Sequence, residues 1–194
     1  MYVDGFEKLW KMHPDKDVDL CAMPIAPLIN LARSKGKELF YITFDASALP
    51  DKKLLEDMSA LEDIVMVGYP NGIWDNKNNK PIFRKGITAT DVIFDYCGRK
   101  EFVIDAACFP GSSGSPVIIF NQGMYTDKYG NTYAGASRIR LLGILYAGPQ
   151  AIAQGEVHTV KIPTVDKNIA ISRIPNNLGY VIKAERILEL EKLF

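Results

Sequence analysis

Short apolar runs broken by turn residues dominate the middle of the chain, and the lengths of these runs are those of strands. Residues 19–25 (DLCAMPI) form one such run after the turn-rich stretch 13–16. Residues 38–44 are aromatic and β-branched, and 63–67 (DIVMV) stop at Gly68, Tyr69 and Pro70. Further runs at 87–94, 101–107, 116–120, 138–146 and 179–184 continue the pattern with Gly, Pro and Asn between them. Many short strands with such punctuation predict an all-β barrel or sandwich rather than an alternating α/β fold. Two stretches read as helix. Residues 27–34 supply a turn or two before Lys35 and Gly36. Residues 183–194 combine Ile187, Leu188 and Leu190 with Glu185, Glu189 and Glu191, the pattern of an amphipathic C-terminal helix. Residues 75–80 (DNKNNK) read as a polar loop and 151–175 as a long, weakly patterned connection.

Composition narrows this picture. At 194 residues the chain holds one large domain or two small ones. Hydrophobic residues at 47% supply a core, and 23 basic against 23 acidic side chains give no pull towards nucleic acid or an anionic membrane. No apolar stretch approaches a membrane span. Cys21, Cys97 and Cys108 are odd in number, widely spaced and without a CxxC pair, which argues against a disulfide framework or a zinc site. No cofactor is expected. Together with a start that lacks the basic-then-apolar order of a secretory signal, the cysteines lean towards a reducing, cytoplasmic setting.

Candidate chemistry sits in residues 109–117, FPGSSGSPV. Gly111, Ser112, Ser113 and Gly114 let the backbone turn sharply and aim successive N–H groups into one concavity. Acyl transfer needs that shape, a hydroxyl beside backbone donors that hold a tetrahedral oxyanion. The same composition also makes an ordinary turn between two strands.

The surroundings favour the first reading. Residues 102–117, FVIDAACFPGSSGSPV, resemble the nucleophile segment of trypsin-like serine proteases of the chymotrypsin fold, HtrA-type and related bacterial enzymes especially. In those enzymes a strand ending in Asp-Ala-Ala leads into a Gly-x-Ser-Gly-x-Pro turn. Ser113 takes the nucleophile's place, while Ser115 stands where glycine is commoner. Residues 63–72, 85–90, 142–148 and 177–182 resemble other segments of that fold in the same order, and the amphipathic stretch follows where the fold has a C-terminal helix. The resemblance implies a chymotrypsin-like double β-barrel, its first barrel incomplete. Residues 1–61 would be the remnant of the N-terminal barrel, and 62–194 the C-terminal barrel with the nucleophile.

Site residues follow from the same resemblance. Asp19, in VDLCAMPI, matches the buried aspartate that orients the catalytic histidine, with Asp17 the alternative two residues away. The N–H groups of Gly111 and Ser113 would form the oxyanion hole. Substrate backbone would lie against Tyr146, Ala147 and Gly148 as an added strand. The primary pocket would be flanked by 106–110 and 146–148 with its floor near Ala107, and with no acidic residue there it would select an uncharged side chain. Ser112 stands where enzymes activated by propeptide cleavage carry an aspartate that pairs with the new amino terminus, so that route of activation is not implied.

A histidine base is missing from its expected place. Only 18 residues precede Asp19, and His13 among them is too close to it to match; it reads as a turn histidine beside Pro14. His158 is out of the family order and reads as a solvent-facing loop residue. The expectation is therefore a fragment of a serine endopeptidase that cuts peptide or protein substrates through a Ser113 acyl-enzyme and is inactive as this chain alone. The alternative is a protease-fold module that binds peptides without cutting them. A barrel remnant exposes a sheet edge, so the isolated chain should self-associate and be less stable than the complete protein. Light scattering and urea unfolding check this: a tight monomer with two-state unfolding contradicts it.

Overall fold

Six apolar strands close into one antiparallel barrel in the computed structural model, which describes residues 5–156 and 169–194. Strands β1 (Lys11–Met12) and β2 (Cys21–Ala22) come first and pair only with each other. The barrel then begins with β3 (Asp63–Gly68), β4 (Ile82–Thr88), β5 (Glu101–Asp105) and β6 (Pro116–Asn121). A hairpin of β7 (Met124–Thr126) and β8 (Thr132–Ala134) stands outside it. The ten-residue β9 (Arg138–Ala147) re-enters the barrel, β10 (Gln150–Glu156) pairs with β11 (Ile169–Pro175), and β12 (Leu178–Lys183) closes the ring. Around the barrel the order is β12-β5-β4-β3-β6-β9, and β9 bonds back to β12.

Alternate residues fill the interior. Ile64 and Met66, Phe102 and Ile104, and Val117 and Ile119 each lie two apart on one strand and are completely buried, joined by Leu142, Leu145 and Val181. Each such side chain contributes about 1.5–3 kcal/mol on burial. This core fixes the register, since a one-residue slip would turn these side chains to water.

Residues 5–61 wrap the outside of the barrel, and among the described residues they form no second one. Helix α1 (Ala26–Ser34) buries only Ala32. Helix α2 (Lys52–Asp57) is capped by Asp51, whose Oδ1 accepts from the Leu54 N–H at 2.7 Å, and it lays Leu54 and Leu55 against the core. Leu20 joins Ile182 and Leu190 in a second buried cluster, which docks the N-terminal hairpin onto the C-terminal end. There α3 (Glu185–Leu188) passes into a 3-10 turn at Glu189–Leu193.

Several expectations are corrected. The run at 19–25 gives only the two-residue β2, because β1 offers no longer ladder. Residues 38–44 pair with nothing among the described residues, and Phe40 and Ile42 are 82% and 83% exposed. The strand expected at 87–94 lies earlier, at Ile82–Thr88, since its partner β3 pairs with it from Gly68 back to Asp63. The connection at 151–175 contains the paired β10 and β11. The C-terminal helix is α-helical for its first turn only. Among the described residues no helix is long and apolar enough to cross a membrane.

One buried ion pair ties the barrel's entry to β9. Arg138 Nη2 lies 2.6 Å from Glu62 Oε2, while its Nε donates to Asn121 Oδ1 at 2.9 Å. The other Glu62 oxygen accepts from the Ser59 N–H at 2.8 Å. Arg138→Met would leave the Glu62 carboxylate buried without its cation, a loss of roughly 3–5 kcal/mol. Urea unfolding should show Arg138→Met to be worse than the double variant Glu62→Leu/Arg138→Met; equal losses would mean that the pair is not coupled.

Candidate active site

Two abutting β-turns shape the loop between β5 and β6. The Ser112 N–H donates to Phe109 O at 3.0 Å and the Ser115 N–H to Ser112 O at 3.1 Å. In each turn the third residue is a glycine at positive φ, Gly111 at 81° and Gly114 at 85°, the type II pattern. Pro110 sets the corner of the first turn, and Ser113 occupies the same corner of the second, exposed at the tip. A β-turn spends only the N–H of its fourth residue, so the amides of Gly111 and Ser113 remain open. Among the described residues neither donates to a protein acceptor.

The loop is held from both sides. The Gly114 N–H donates to Leu145 O at 2.7 Å, and the Leu145 N–H donates back to Ser115 O at 2.9 Å. On the opposite flank the Asn71 N–H donates to Pro110 O at 2.7 Å. Ser113 Oγ donates to Tyr146 O at 2.9 Å, so its hydroxyl rests on the strand expected to bind substrate. Gly68 in β3 is needed for close approach, since a Cβ there would collide with Ser115 Oγ.

Two cavities flank Ser113. One of about 250 Å³ is walled by Cys108, Pro110, Ser113, Leu145, Ala147 and Gly148, with no charged side chain among its walls. The other, of about 290 Å³, opens on the β3 side between Gly68, Tyr69, Gly111 and Ser113. The structure thus brings together Gly111, Ser113, Tyr146, Ala147 and Gly148. Ala107 does not wall the first cavity; Cys108 does, and Ala107 turns its carbonyl to Arg84 Nη1 at 2.5 Å. Burial pushes the Cys108 thiol up, which keeps it protonated and unreactive at neutral pH.

Other expected residues lie apart from this loop. Asp19 is exposed, in the turn before β2, and makes no hydrogen bond among the described residues. Its neighbour Leu20 belongs to the cluster against which Tyr146 packs. Asp17 is exposed too, and its carbonyl accepts from Arg99 Nη2 at 3.0 Å. His13 is buried instead of standing at an open turn. The Asp15 N–H donates to its Nδ1 at 3.1 Å, and Nε2 faces Glu189 Oε2 at 3.4 Å without hydrogen-bond alignment. His158 lies outside the described residues.

Sequence reading missed Arg84. It sits opposite Met66 in the β3–β4 register, and cross-strand neighbours share a face, so its side chain enters the barrel as Met66 does. Its Nη1 also donates to Ser112 Oγ at 2.8 Å. Phe83 and Lys85 on either side are exposed. An Arg between Phe and Lys gives no alternation that would mark it as inward.

Comparison with known proteins gives no relative: no protein-family model, no curated protein and no solved structure matches the chain.

Tyr146 carries one more interaction. Its hydroxyl donates to Glu101 Oε2 at 2.9 Å, and burial followed by this bond pushes its pKa up to about 12. An unfolded tyrosine ionises near ~10, so this contribution to stability is full below that pH and is lost as pH rises through about 12. Ultraviolet titration should show a tyrosine ionising near about 12 that Tyr146→Phe removes. An unchanged titration curve in that variant would contradict it.

Proposed function

We propose that the chain belongs to a serine endopeptidase of trypsin-like fold, with Ser113 as its nucleophile. One observation carries the reading: an exposed serine hydroxyl at a turn corner, between two open backbone amides, on the rim of an uncharged cavity. In this reading the closed barrel is the second of two, and residues 1–61 are what the chain holds of the first. The apolar, unpaired stretch 38–44 supports that view, as a strand of the first barrel would need partners.

The reaction is acyl transfer. Ser113 Oγ attacks the carbonyl carbon of the scissile peptide while a histidine base takes its proton. The N–H groups of Gly111 and Ser113 hold the oxyanion of the tetrahedral intermediate. As that intermediate collapses, the C–N bond breaks and the histidine returns the proton to the leaving amine. Water then attacks the acyl-enzyme by the same route and regenerates the hydroxyl. Substrate backbone pairs with Tyr146, Ala147 and Gly148, and the uncharged cavity takes the side chain before the cut. Asp19 orients the base. The docking of its neighbour Leu20 in the cluster of Tyr146 supports that place for it. The base itself comes from outside the described residues.

Labelling with a fluorophosphonate probe tests this, on the chain as given and on a version extended upstream, each beside its Ser113→Ala control. Labelling of the extended form alone, abolished in the control, is the expected result. Labelling of the chain as given would assign the base to His158, checked by His158→Ala. Labelling of neither would overturn the enzyme and leave a peptide-binding module.

A further inference from the structure

Under the nucleophile loop lies a half-buried cation that no carboxylate meets among the described residues. Arg84 reaches from β4 into the end of the barrel, and its Nη1 donates both to Ala107 O at 2.5 Å and to Ser112 Oγ at 2.8 Å. Those acceptors lie at the two ends of the segment that carries the turn at Phe109, Pro110, Gly111 and Ser112. One guanidinium nitrogen therefore spans the loop from its entry to the residue just before Ser113. The Ser112 side chain is 1% exposed, so this bond is shielded from water. A donor that is charged and dry makes a strong hydrogen bond.

Nothing else among the described residues explains the charge. Nε and Nη2 of Arg84 are buried without a hydrogen-bond partner, and no salt bridge forms among the described residues. Burial lowers its pKa, yet a guanidinium stays cationic in proteins. A buried charge left this poorly satisfied costs stability, and a methionine of similar length would fill the space without that cost. The contacts that Arg84 does make are both to the loop.

We propose that Arg84 is a positioning residue which holds the Gly111 and Ser113 amides in their open, donor-ready arrangement by pinning Ala107 and Ser112. The inference rests on the reading of Ser113 as a nucleophile and adds to it how the site is switched on. In enzymes matured by propeptide cleavage, a new amino terminus supplies a cation to an aspartate at the place of Ser112. Here the cation is internal and the acceptor a neutral hydroxyl, so the loop needs no cleavage to form. The turn that presents the two amides takes its shape as soon as the barrel folds.

Amide hydrogen exchange and thiol alkylation test this on the full chain, neither of which requires Ser113 to react. Cys108 is buried within the pinned loop, whereas Cys21 and Cys97 are exposed and serve as internal references for N-ethylmaleimide. In Arg84→Met, which removes both bonds, exchange across residues 106–115 and alkylation of Cys108 should each rise roughly 10-fold or more, at least the loss expected for a single charged hydrogen bond. Exchange in β3 and β6 should stay as it was. Ser112→Ala, which removes one acceptor only, should give a smaller rise at the same place, and Arg84→Lys should recover part of the protection. Should Arg84→Met fail to fold, the other two variants must still loosen this loop and nothing else. An unchanged loop, or loosening spread evenly over the barrel, overturns the proposal. Fluorophosphonate labelling of the upstream-extended form separates this inference from the one beneath it. A loosened loop with no labelling in any form sinks the protease and leaves the pin; labelling with an unmoved loop sinks the pin alone.

Discussion

Closure of the barrel depends on β9, the strand that pairs with β6 along one edge and with β12 along the other. Ten residues long, it supplies Leu142 and Leu145 to the core and, at its C-terminal end, the carbonyls that hold the loop around Ser113. Its pairing shifts register once against each neighbour, near Val117 and near Tyr180. Such irregularities bend a strand and increase its twist, which lets one strand serve two edges of a small barrel. The serine hydroxyl is thus placed by the same strand that closes the fold. A site built this way inherits the stiffness of the core beneath it, since opening the loop means breaking bonds to a strand that cannot move alone.

Polar groups around this loop are partnered unevenly. Glu62 and Arg138 satisfy one another and their neighbours far from Ser113. Arg84 is left with two buried nitrogens unmatched among the described residues, beneath the loop. A fold selected for stability alone would have replaced that cation with an apolar side chain. Unmatched donors are more often tolerated where a particular local geometry matters, and the geometry here is that of two turns with their inner amides open.

Strands that coincide with one short apolar run, such as β3, β5 and β6, are easy to read, whereas β4 was expected at 87–94 and lies at Ile82–Thr88. Ile64 and Met66, Phe102 and Ile104, and Val117 and Ile119 sit in short apolar runs that announce their strands, and the Pro110-Gly111 and Ser113-Gly114 corners announce their turns. Residues 38–44 have the strongest β-propensity in the first part of the chain and yet form no ladder, because propensity describes fit to a pleated surface and no such surface adjoins them. The aspartate segment fell short for the same reason, as β2 has only the two residues of β1 to pair with. Arg84 was hidden for a different cause: the face a side chain takes is set by strand register, and the register of β4 follows from its pairing with β3. Gly111, Ser113, Ala147 and Gly148 were singled out by the resemblance, whereas the hydrogen bond to Ser112 arrives from 28 positions earlier in the chain.

The open amides of Gly111 and Ser113 belong to the main chain, and this bears on heredity. A side-chain donor disappears with a single codon change, but a backbone donor survives almost every one, proline excepted. The proposed cradle for an oxyanion is thus encoded redundantly, by turn shape, while the hydroxyl beside it depends on one triplet. Under the proposed protease reading, a lineage carrying this fold would lose cutting abruptly and the capacity to grip an extended peptide only slowly. Descendants that hold a strand of substrate without cleaving it are the expected residue of such drift.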